Sequence, residues 1–149
     1  MRGIQMAKRI AVDLAEYWEG LAGLRLSHLE PKQLGAVGEE IACRELISRG
    51  WSLLDRNVRV SRDEVDLLFY FDGDLHVVEV KTRSGYGFGL GRESVTPAKL
   101  AKMRRAATTW LGTDRPSRLY RSICFDCAEI TVVTEFEVEF DLIERIESP

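Results

Sequence analysis

Apolar residues along the chain follow two periods, and the shorter one predicts strands. Apolar runs that alternate with polar residues, or lie between turn residues, are typical of strands. They occur at about 51–60, 64–72, 74–83 and 121–133, and residues 137–146 predict a last strand or a short helix. The tripeptide 72-DGD-74 has the composition of a tight turn, so the two segments around it should form a hairpin.

The longer period predicts two helices with clear end signals. The first begins at Pro31, which suits a first-turn position, and ends at Gly50, which suits the residue after the last turn. The second has Thr96 as its N-cap and Pro97 as its first residue, and Gly112 closes it.

The N-terminal residues show helical spacing of their own. Residues 4–22 predict an amphipathic helix whose apolar side contains Ile10, Leu14, Tyr17, Trp18 and Leu21. We therefore expect residues 1–30 to be a helical extension that packs on the domain or on a partner. Residues 31–149 then form one α/β domain, a mixed β-sheet flanked by helices, and 149 residues suffice for a single core.

Composition argues against two classes of protein. No apolar run reaches the length of a membrane span and the start lacks a signal-peptide pattern, so we expect no membrane partner and a cytoplasmic location. Three cysteines do not make a disulfide framework. Cys124 and Cys127 form a C-x-x-C, but the other available zinc ligands, Cys43, His28 and His76, are scattered. We predict that these thiols are buried or half-buried structural residues.

Charge is distributed unevenly along the chain. The net charge of −3 does not by itself indicate a nucleic-acid-binding protein. Residues 81–121 nevertheless contain ten basic and two acidic residues, whereas the chain from Asp126 onward contains eight acidic residues and one basic residue, Arg145. This asymmetry fits a basic face directed toward phosphates, and it fits a solvated helix surface equally well.

Charged residues interrupt the predicted hairpin. Side chains alternate along a strand, so Glu64 shares a face with Asp66, and Glu79 shares a face with Lys81. If the two strands pair about the turn at Gly73, Asp66 lies opposite Glu79, with an uncertainty of one residue in the register. The alternate positions should face the core: Val65, Leu67, Phe69, Val78 and Val80.

The carboxylates of Asp66 and Glu79 have two explanations. Adjacent carboxylates repel unless a cation lies between them, and Mg²⁺ or Mn²⁺ prefers oxygen ligands. Lys81 would then point into the same site, where it can orient or help to deprotonate an attacking water. The alternative, which spacing alone favours, is an exposed sheet face with ion pairs between Glu64 or Asp66 and Lys81 or Arg83.

Several motifs that occur in a fixed order along the chain favour the metal site over the ion-paired sheet face. Asp66, followed after a short turn by Glu79-Val80-Lys81, matches the PD-(D/E)xK nuclease signature. The other motifs are Gly35, Gly38, Glu39 and Ala42 on the first helix, then Gly50, Arg56-Asn57, 63-DEVDLL-68, Val78–Arg83, Phe88-Gly89 and Lys99. Over about residues 34–133 the chain thus resembles the YraN-like family of small bacterial proteins (uncharacterised protein family 0102).

The resemblance implies a fold, a cofactor and residue roles. The fold would be restriction-endonuclease-like, similar to that of archaeal Holliday-junction resolvases. Asp66, Glu79 and the Val80 carbonyl would bind Mg²⁺ or Mn²⁺, and Lys81 would be the catalytic lysine. Glu39 would approach from the preceding helix and complete the acidic cluster.

Three functions remain open from the sequence. The first is a metal-dependent DNA endonuclease directed to branched or single-stranded DNA in repair or recombination, with contacts to DNA from Arg83, Arg92, Lys99, Lys102 and Arg105. The glycine-rich loop 84–94 would then order on DNA. The second is a weakly active nucleic-acid-binding or adaptor module. The third is an interaction protein, and a homodimer would suit the cutting of two strands.

Overall fold

A computed structural model describes residues 7–60, 62–85, 95–113 and 119–146. Its strands and α-helices are β1 (Lys8–Ala11), α1 (Pro31–Ser48), β2 (Ser52–Val60), β3 (Asp63–Phe71), β4 (Asp74–Ser84), α2 (Pro97–Leu111), β5 (Ile123–Thr134) and β6 (Glu137–Ile143). The strands form one sheet in the order β1-β6-β5-β4-β3-β2. Only β4 and β5 pair in parallel among these neighbours. The predicted mixed α/β architecture is confirmed.

Both α-helices begin and end where their local signals predict. In α1 the side chain of Gln33 accepts from the backbone of Glu30, and the chain leaves the helix at Gly50, whose φ is 93°. In α2 the Thr96 hydroxyl accepts a hydrogen bond from the Lys99 N–H at 3.1 Å. No helix in the described ranges is both long and apolar enough to cross a membrane.

The hairpin between β3 and β4 has the predicted turn and register. Asp72 and Gly73 both have positive φ, 50° and 88°, as a two-residue type I′ turn requires. The paired positions Leu67–Val78 and Leu68–Val77 continue from this turn. Asp66 and Glu79 are the next residues beyond the last pair, Leu67–Val78, in agreement with the register predicted to within one residue.

Two buried clusters form, each containing residues of one helix. The α1 cluster includes Ile41, Leu46, Leu67, Phe69, Val78, Ile130 and Phe140. The α2 cluster includes Met103, Trp110, Val65, Leu68, Val77 and Phe125. Because neighbouring residues of β4, Val77 and Val78, belong to different clusters, the helices cover opposite faces of the sheet.

One part of the predicted alternation is wrong. Val65 belongs to the α2 cluster, whereas Leu67 belongs to the α1 cluster, although a regular strand would place both on one face. The change of face coincides with an irregularity in the neighbouring strand β2, where Asn57 has a φ of 50° between the pairs Arg56–Leu67 and Val58–Val65. A left-handed residue interrupts the regular alternation of its own strand, and asparagine tolerates that conformation better than most residues.

The predicted helix over residues 4–22 is wrong in its described part. Lys8–Ala11 is instead an edge strand on β6, and three short 3₁₀ helices follow, Leu14–Glu16, Glu19–Leu21 and Leu26–His28. Four apolar residues of this region are buried in the α1 cluster, Val12, Leu14, Leu26 and Leu29, whereas Trp18 is 42% exposed. The free edge of β6 satisfies the backbone of residues 8–11, so pairing overrides the helical spacing.

We expect Gly38→Ala to lower the free energy of unfolding by about 1–3 kcal/mol, although alanine favours helices. A methyl group on Gly38 would overlap Oγ1 of Thr82 and reach 3.0 Å from its Cβ, so α1 could no longer approach β4. Gly35→Ala is the matched control, because nothing lies within 4 Å of its added Cβ. Urea unfolding of both variants measures the difference, and equal effects would contradict the close approach.

Candidate active site

The four residues proposed for catalysis line one cavity. Glu39 comes from α1, Asp66 from β3, and Glu79 and Lys81 from β4, and the cavity has a volume of about 400 Å³. Val80 and Thr82 contribute to the same wall. Two strands and a helix therefore bring together residues that span 43 positions of the chain.

Asp66 lies where β3 and β4 separate. Their last paired positions are Leu67 and Val78, and beyond them Oδ2 of Asp66 accepts a hydrogen bond from the Val80 N–H at 2.8 Å. Burial, followed by the negative charge of Glu79, raises the pKa of Asp66 to about 8, and the Val80 hydrogen bond only partly opposes this. A partly buried carboxyl group beside a second carboxylate is a site that a cation would stabilise.

Glu39 adds a third carboxyl group to this cavity. Its Oε1 is buried and has no hydrogen-bond partner within the described part of the chain. Burial raises the pKa of Glu39, and the charges of Glu64 and Glu79 raise it further. The neighbouring Glu40 differs, because it pairs with Arg44 at 3.0 Å and with Arg56 at 2.8 Å. Glu39 is thus the glutamate of α1 that is left for a ligand.

Glu79 has a cationic partner that sequence spacing did not indicate. Oε1 of Glu79 lies 2.7 Å from Nζ of Lys99, in the first turn of α2. The hydrogen bond to Glu79 raises the pKa of Lys99, which therefore stays protonated. Lys99 was predicted to contact phosphate, and in this structure its ammonium group neutralises a carboxylate of the site.

Lys81 and the charges near it do not form one ion-paired sheet face. The Lys81 side chain is exposed on the cavity wall. Glu64 pairs with Arg59 of β2 at 3.7 Å, and Arg83 pairs with Glu129 of β5 at 3.8 Å. Both ion pairs join the hairpin to a strand outside it, and neither is one of the predicted pairs between Glu64 or Asp66 and Lys81 or Arg83.

The residues predicted to bind nucleic acid are dispersed. Arg92 lies outside the described residues. Arg83 is only 13% exposed, whereas Lys102 is exposed on α2. Arg105 is bound to Asp63 at 3.3 Å and lines an open cavity of about 610 Å³ together with Arg62, Arg104, Thr108 and Thr109.

Sequence reasoning missed Cys127 as a neighbour of the site. Cys127 lies beside Glu79 in the parallel ladder of β4 and β5 and is fully buried. Burial, followed by the charge of Glu79, raises the pKa of the Cys127 thiol to about 12, so it remains protonated. The three cysteines are buried and unpaired, as predicted. No sequence signal foretold the parallel register that places Cys127 here.

The residues of the cavity fit a divalent cation with oxygen ligands. Asp66, Glu79 and Glu39 supply carboxylates, and the unpartnered Oε1 of Glu39 has room for a ligand or a water. Mg²⁺ and Mn²⁺ prefer carboxylate and water oxygens. Such an ion would relieve the repulsion that raises the pKa of Asp66.

Comparison with known proteins gives the family. The model of the uncharacterised protein family UPF0102 matches residues 38–144. A UPF0102 protein of Corynebacterium efficiens is 47% identical over 69% of this chain and 81% of its own length. One from Chlorobaculum parvum is 47% identical over 58% and 67%, and one from Syntrophomonas wolfei is 37% identical over 68% and 86%. The chain therefore belongs to the UPF0102 family, the YraN-like family that its motifs resemble.

Proposed function

We propose that this protein is a Mg²⁺- or Mn²⁺-dependent DNA endonuclease that hydrolyses phosphodiester bonds in branched or single-stranded DNA during repair or recombination. One observation carries the proposal. Asp66, Glu79, Glu39 and Lys81 line a single cavity, and two of these carboxyl groups have raised pKa values. Carboxylates that repel each other in the absence of a cation, beside an exposed lysine, suit metal-assisted phosphoryl chemistry.

Asp66, Glu79 and the Val80 carbonyl would hold the metal ion. When bound, the ion would polarise a phosphoryl oxygen and lower the pKa of a coordinated water. The Asp66 carboxylate is already oriented for this role by its hydrogen bond from the Val80 N–H. Asp66 also shares a side-chain hydrogen bond with Glu79, and a metal ion between the two carboxyl groups would replace it.

Lys81 and Glu39 would act on the water and on the phosphate. The water oxygen attacks phosphorus, the bond from phosphorus to one ester oxygen breaks, and the leaving oxygen takes up a proton from solvent. Lys81, on the open wall of the cavity, would offset the negative charge that grows on the phosphoryl oxygens. Glu39, whose pKa is raised, would accept a proton or a hydrogen bond from the attacking water.

Lys99 would exchange partners when metal and DNA bind. It neutralises Glu79 at 2.7 Å, and its side chain is 44% exposed. A metal ion that binds Glu79 would compete with this ion pair. The released ammonium group would then be available for a phosphate, the role first predicted for Lys99.

The basic residues of α2 and its surroundings suit backbone contacts. Lys102 and Arg105, with Arg83 and Arg92, are proposed to contact DNA phosphates. Arg104 and Arg62 line the same open cavity as Arg105. Phosphate contacts fix position without reading sequence, which fits recognition of DNA structure.

The direct test is cleavage of a panel of labelled DNA substrates by the purified full chain. Single-stranded, flap, fork, four-way and plain duplex DNA are incubated with Mg²⁺ or Mn²⁺, and parallel reactions contain EDTA. We expect metal-dependent cleavage that prefers the branched or single-stranded substrates. Cleavage that persists in EDTA, or no cleavage of any substrate, would contradict the proposal.

A nucleic-acid adaptor is the second candidate, and the ion pairs support it. Lys99 forms an ion pair with Glu79, and Arg105 forms one with Asp63. Two of the basic residues near the site are therefore already paired with carboxylates. In an adaptor these pairs would persist. Binding to DNA that weakens steeply with salt but needs no metal, without cleavage, would favour this reading.

A cytoplasmic location and a homodimer also belong to the proposal. Two copies would supply two sites for two strands. Removing residues 1–30 is not a usable dimer test, because it would delete β1 and the core residues Leu14 and Leu26. Light scattering of the full chain at several concentrations is the appropriate measurement, and a constant monomer mass would exclude the dimer.

A further inference from the structure

We infer that Asp74, His76 and Cys124 form a second metal site, which takes Zn²⁺ or a similar divalent transition metal. The site lies at the first residues of β4 and β5, whereas the candidate active site uses the second half of β4. It is independent of the proposed nuclease activity, since it shares no residue with that cavity.

The parallel pairing of β4 and β5 builds this cluster. His76 lies directly beside Cys124 in the ladder, and Asp74 precedes His76 by two residues, so both point to the same face. The carboxylate of Asp74, a ring nitrogen of His76 and the sulfur of Cys124 all lie within 4.8 Å of one another. The three residues are 3%, 3% and 0% exposed. Ligand atoms this close can converge on one ion with small side-chain adjustments.

A buried carboxylate fixes the orientation of the His76 ring. Oδ2 of Asp126 lies 2.6 Å from Nδ1 of His76, and Asp126 is fully buried. The Arg145 N–H donates to the other oxygen of Asp126 at 3.0 Å. The oxygen of Asp126 occupies Nδ1 through this contact, so Nε2 is the ring nitrogen left for a metal ion. Metal-binding histidines usually have this kind of partner on their second nitrogen.

The mixture of donor atoms indicates the class of metal. Zn²⁺ accepts cysteine sulfur, histidine nitrogen and carboxylate oxygen as ligands, and it often keeps a fourth position for water when the protein supplies three ligands. Mg²⁺ prefers oxygen ligands and would favour the carboxylates around Asp66. The two sites should therefore select different ions.

The interactions that Asp74 makes in this structure can accommodate a metal. Arg121 donates to its two oxygens at 3.2 and 3.1 Å, Ser122 donates to Oδ1 at 2.8 Å, and Arg145 approaches Oδ2 at 3.5 Å. The arginine side chains are 66% and 51% exposed, so either can return to solvent at small cost. The arginine that stays in place would balance part of the negative charge that a Cys124 thiolate adds.

A metal here would link the turn before β4 to the start of β5. These segments are 48 residues apart in sequence between Asp74 and Ser122, and hydrogen bonds now join them. Since the ion would bind only the folded arrangement, it would raise the thermal stability of the protein. At a free Zn²⁺ concentration 100-fold above Kd, we expect the Tm to rise by roughly 5–10 °C.

The test uses Co²⁺ and Zn²⁺ with the full chain carrying Asp66→Asn, which weakens the oxygen-ligand site. Thiolate ligation of Co²⁺ gives a charge-transfer absorption in the near ultraviolet. We expect this band to saturate at one equivalent of Co²⁺ and to disappear on addition of Zn²⁺. Cys124→Ser should abolish the band, whereas Cys127→Ser and Cys43→Ser, which replace the other buried thiols, should keep it.

Two further measurements make the outcome decisive. Asp126→Asn should weaken binding by about 10–100-fold, because it replaces the carboxylate partner of His76 with a neutral amide. X-ray absorption of the zinc-loaded protein, which needs no variant at the site, should show one sulfur ligand at about 2.3 Å. Absence of sulfur scattering, or a band that survives Cys124→Ser and vanishes in Cys127→Ser, would overturn the inference.

Discussion

Asp66→Asn is expected to lower the proposed metal-dependent cleavage by roughly 10³-fold or more. The substitution removes a negative metal ligand, and a bound ion supplies several kcal/mol of transition-state stabilisation. The Val80 N–H keeps an acceptor, because the asparagine amide oxygen can replace Oδ2, so the change acts on charge more than on packing. Isothermal titration with Mn²⁺ and single-turnover cleavage should show the loss of binding and of rate together.

The same variant should change how stability depends on pH. The folded protein holds the proton of Asp66 more tightly than the unfolded chain does, because its pKa is raised from 3.8 to about 8. The favourable contribution is therefore fully present below pH 4 and is lost as the pH rises toward 8. Without metal, we expect Asp66→Asn to be more stable than the wild type at pH 8 by about 2–5 kcal/mol, with little difference at pH 4.

Asp72→Asn is the matched control for both measurements. Asp72 is an exposed turn residue with a φ of 50°, a conformation that asparagine tolerates. It should leave metal binding and the pH profile of the free energy of unfolding unchanged. An Asp66→Asn protein that still binds Mn²⁺ and cleaves at the wild-type rate would remove Asp66 from the site.

Lys81→Met is expected to lower the rate of the cleavage step by about 10²–10³-fold. Methionine keeps much of the apolar stem but removes the ammonium group that would stabilise the phosphoryl charge. Lys81 is exposed and is not a metal ligand in our proposal, so the metal affinity of the variant should stay within about threefold of the wild type. A lysine acts on a phosphate mainly through its charge, so the loss should appear in the rate. The separation of rate from metal binding distinguishes this residue from Asp66.

Lys32→Met serves as the control for this loss of charge. Lys32 is an exposed lysine in the first turn of α1 and does not line the cavity. Its replacement should leave the single-turnover rate unchanged. If Lys81→Met cleaves as fast as Lys32→Met, either Lys81 has no catalytic role or the activity comes from a contaminant, and a metal-site variant such as Asp66→Asn separates these outcomes.

Local signals predicted most of the secondary structure. Pro31 and Gly50 bound the first helix, Thr96 caps the second, and the Asp72-Gly73 turn sets the hairpin register. Each of these signals acts within a few residues, so no knowledge of the fold is needed to use them. Two predictions were wrong, the helix over residues 4–22 and the placement of Val65 on the same sheet face as Leu67. The first depended on a free edge of β6, and the second coincides with the left-handed φ of Asn57 in the neighbouring strand.

The sequence alone predicted, to within one residue, that Asp66 and Glu79 lie opposite each other, because a two-residue turn joins their strands. The tertiary structure decided the rest of the site. Glu39 was expected there only from the family resemblance, and Lys99, Cys127 and the cluster of His76 with Cys124 came from contacts between distant segments. The parallel pairing of β4 with β5 depends on the packing of helices against both faces of the sheet. No short stretch of sequence predicts that packing.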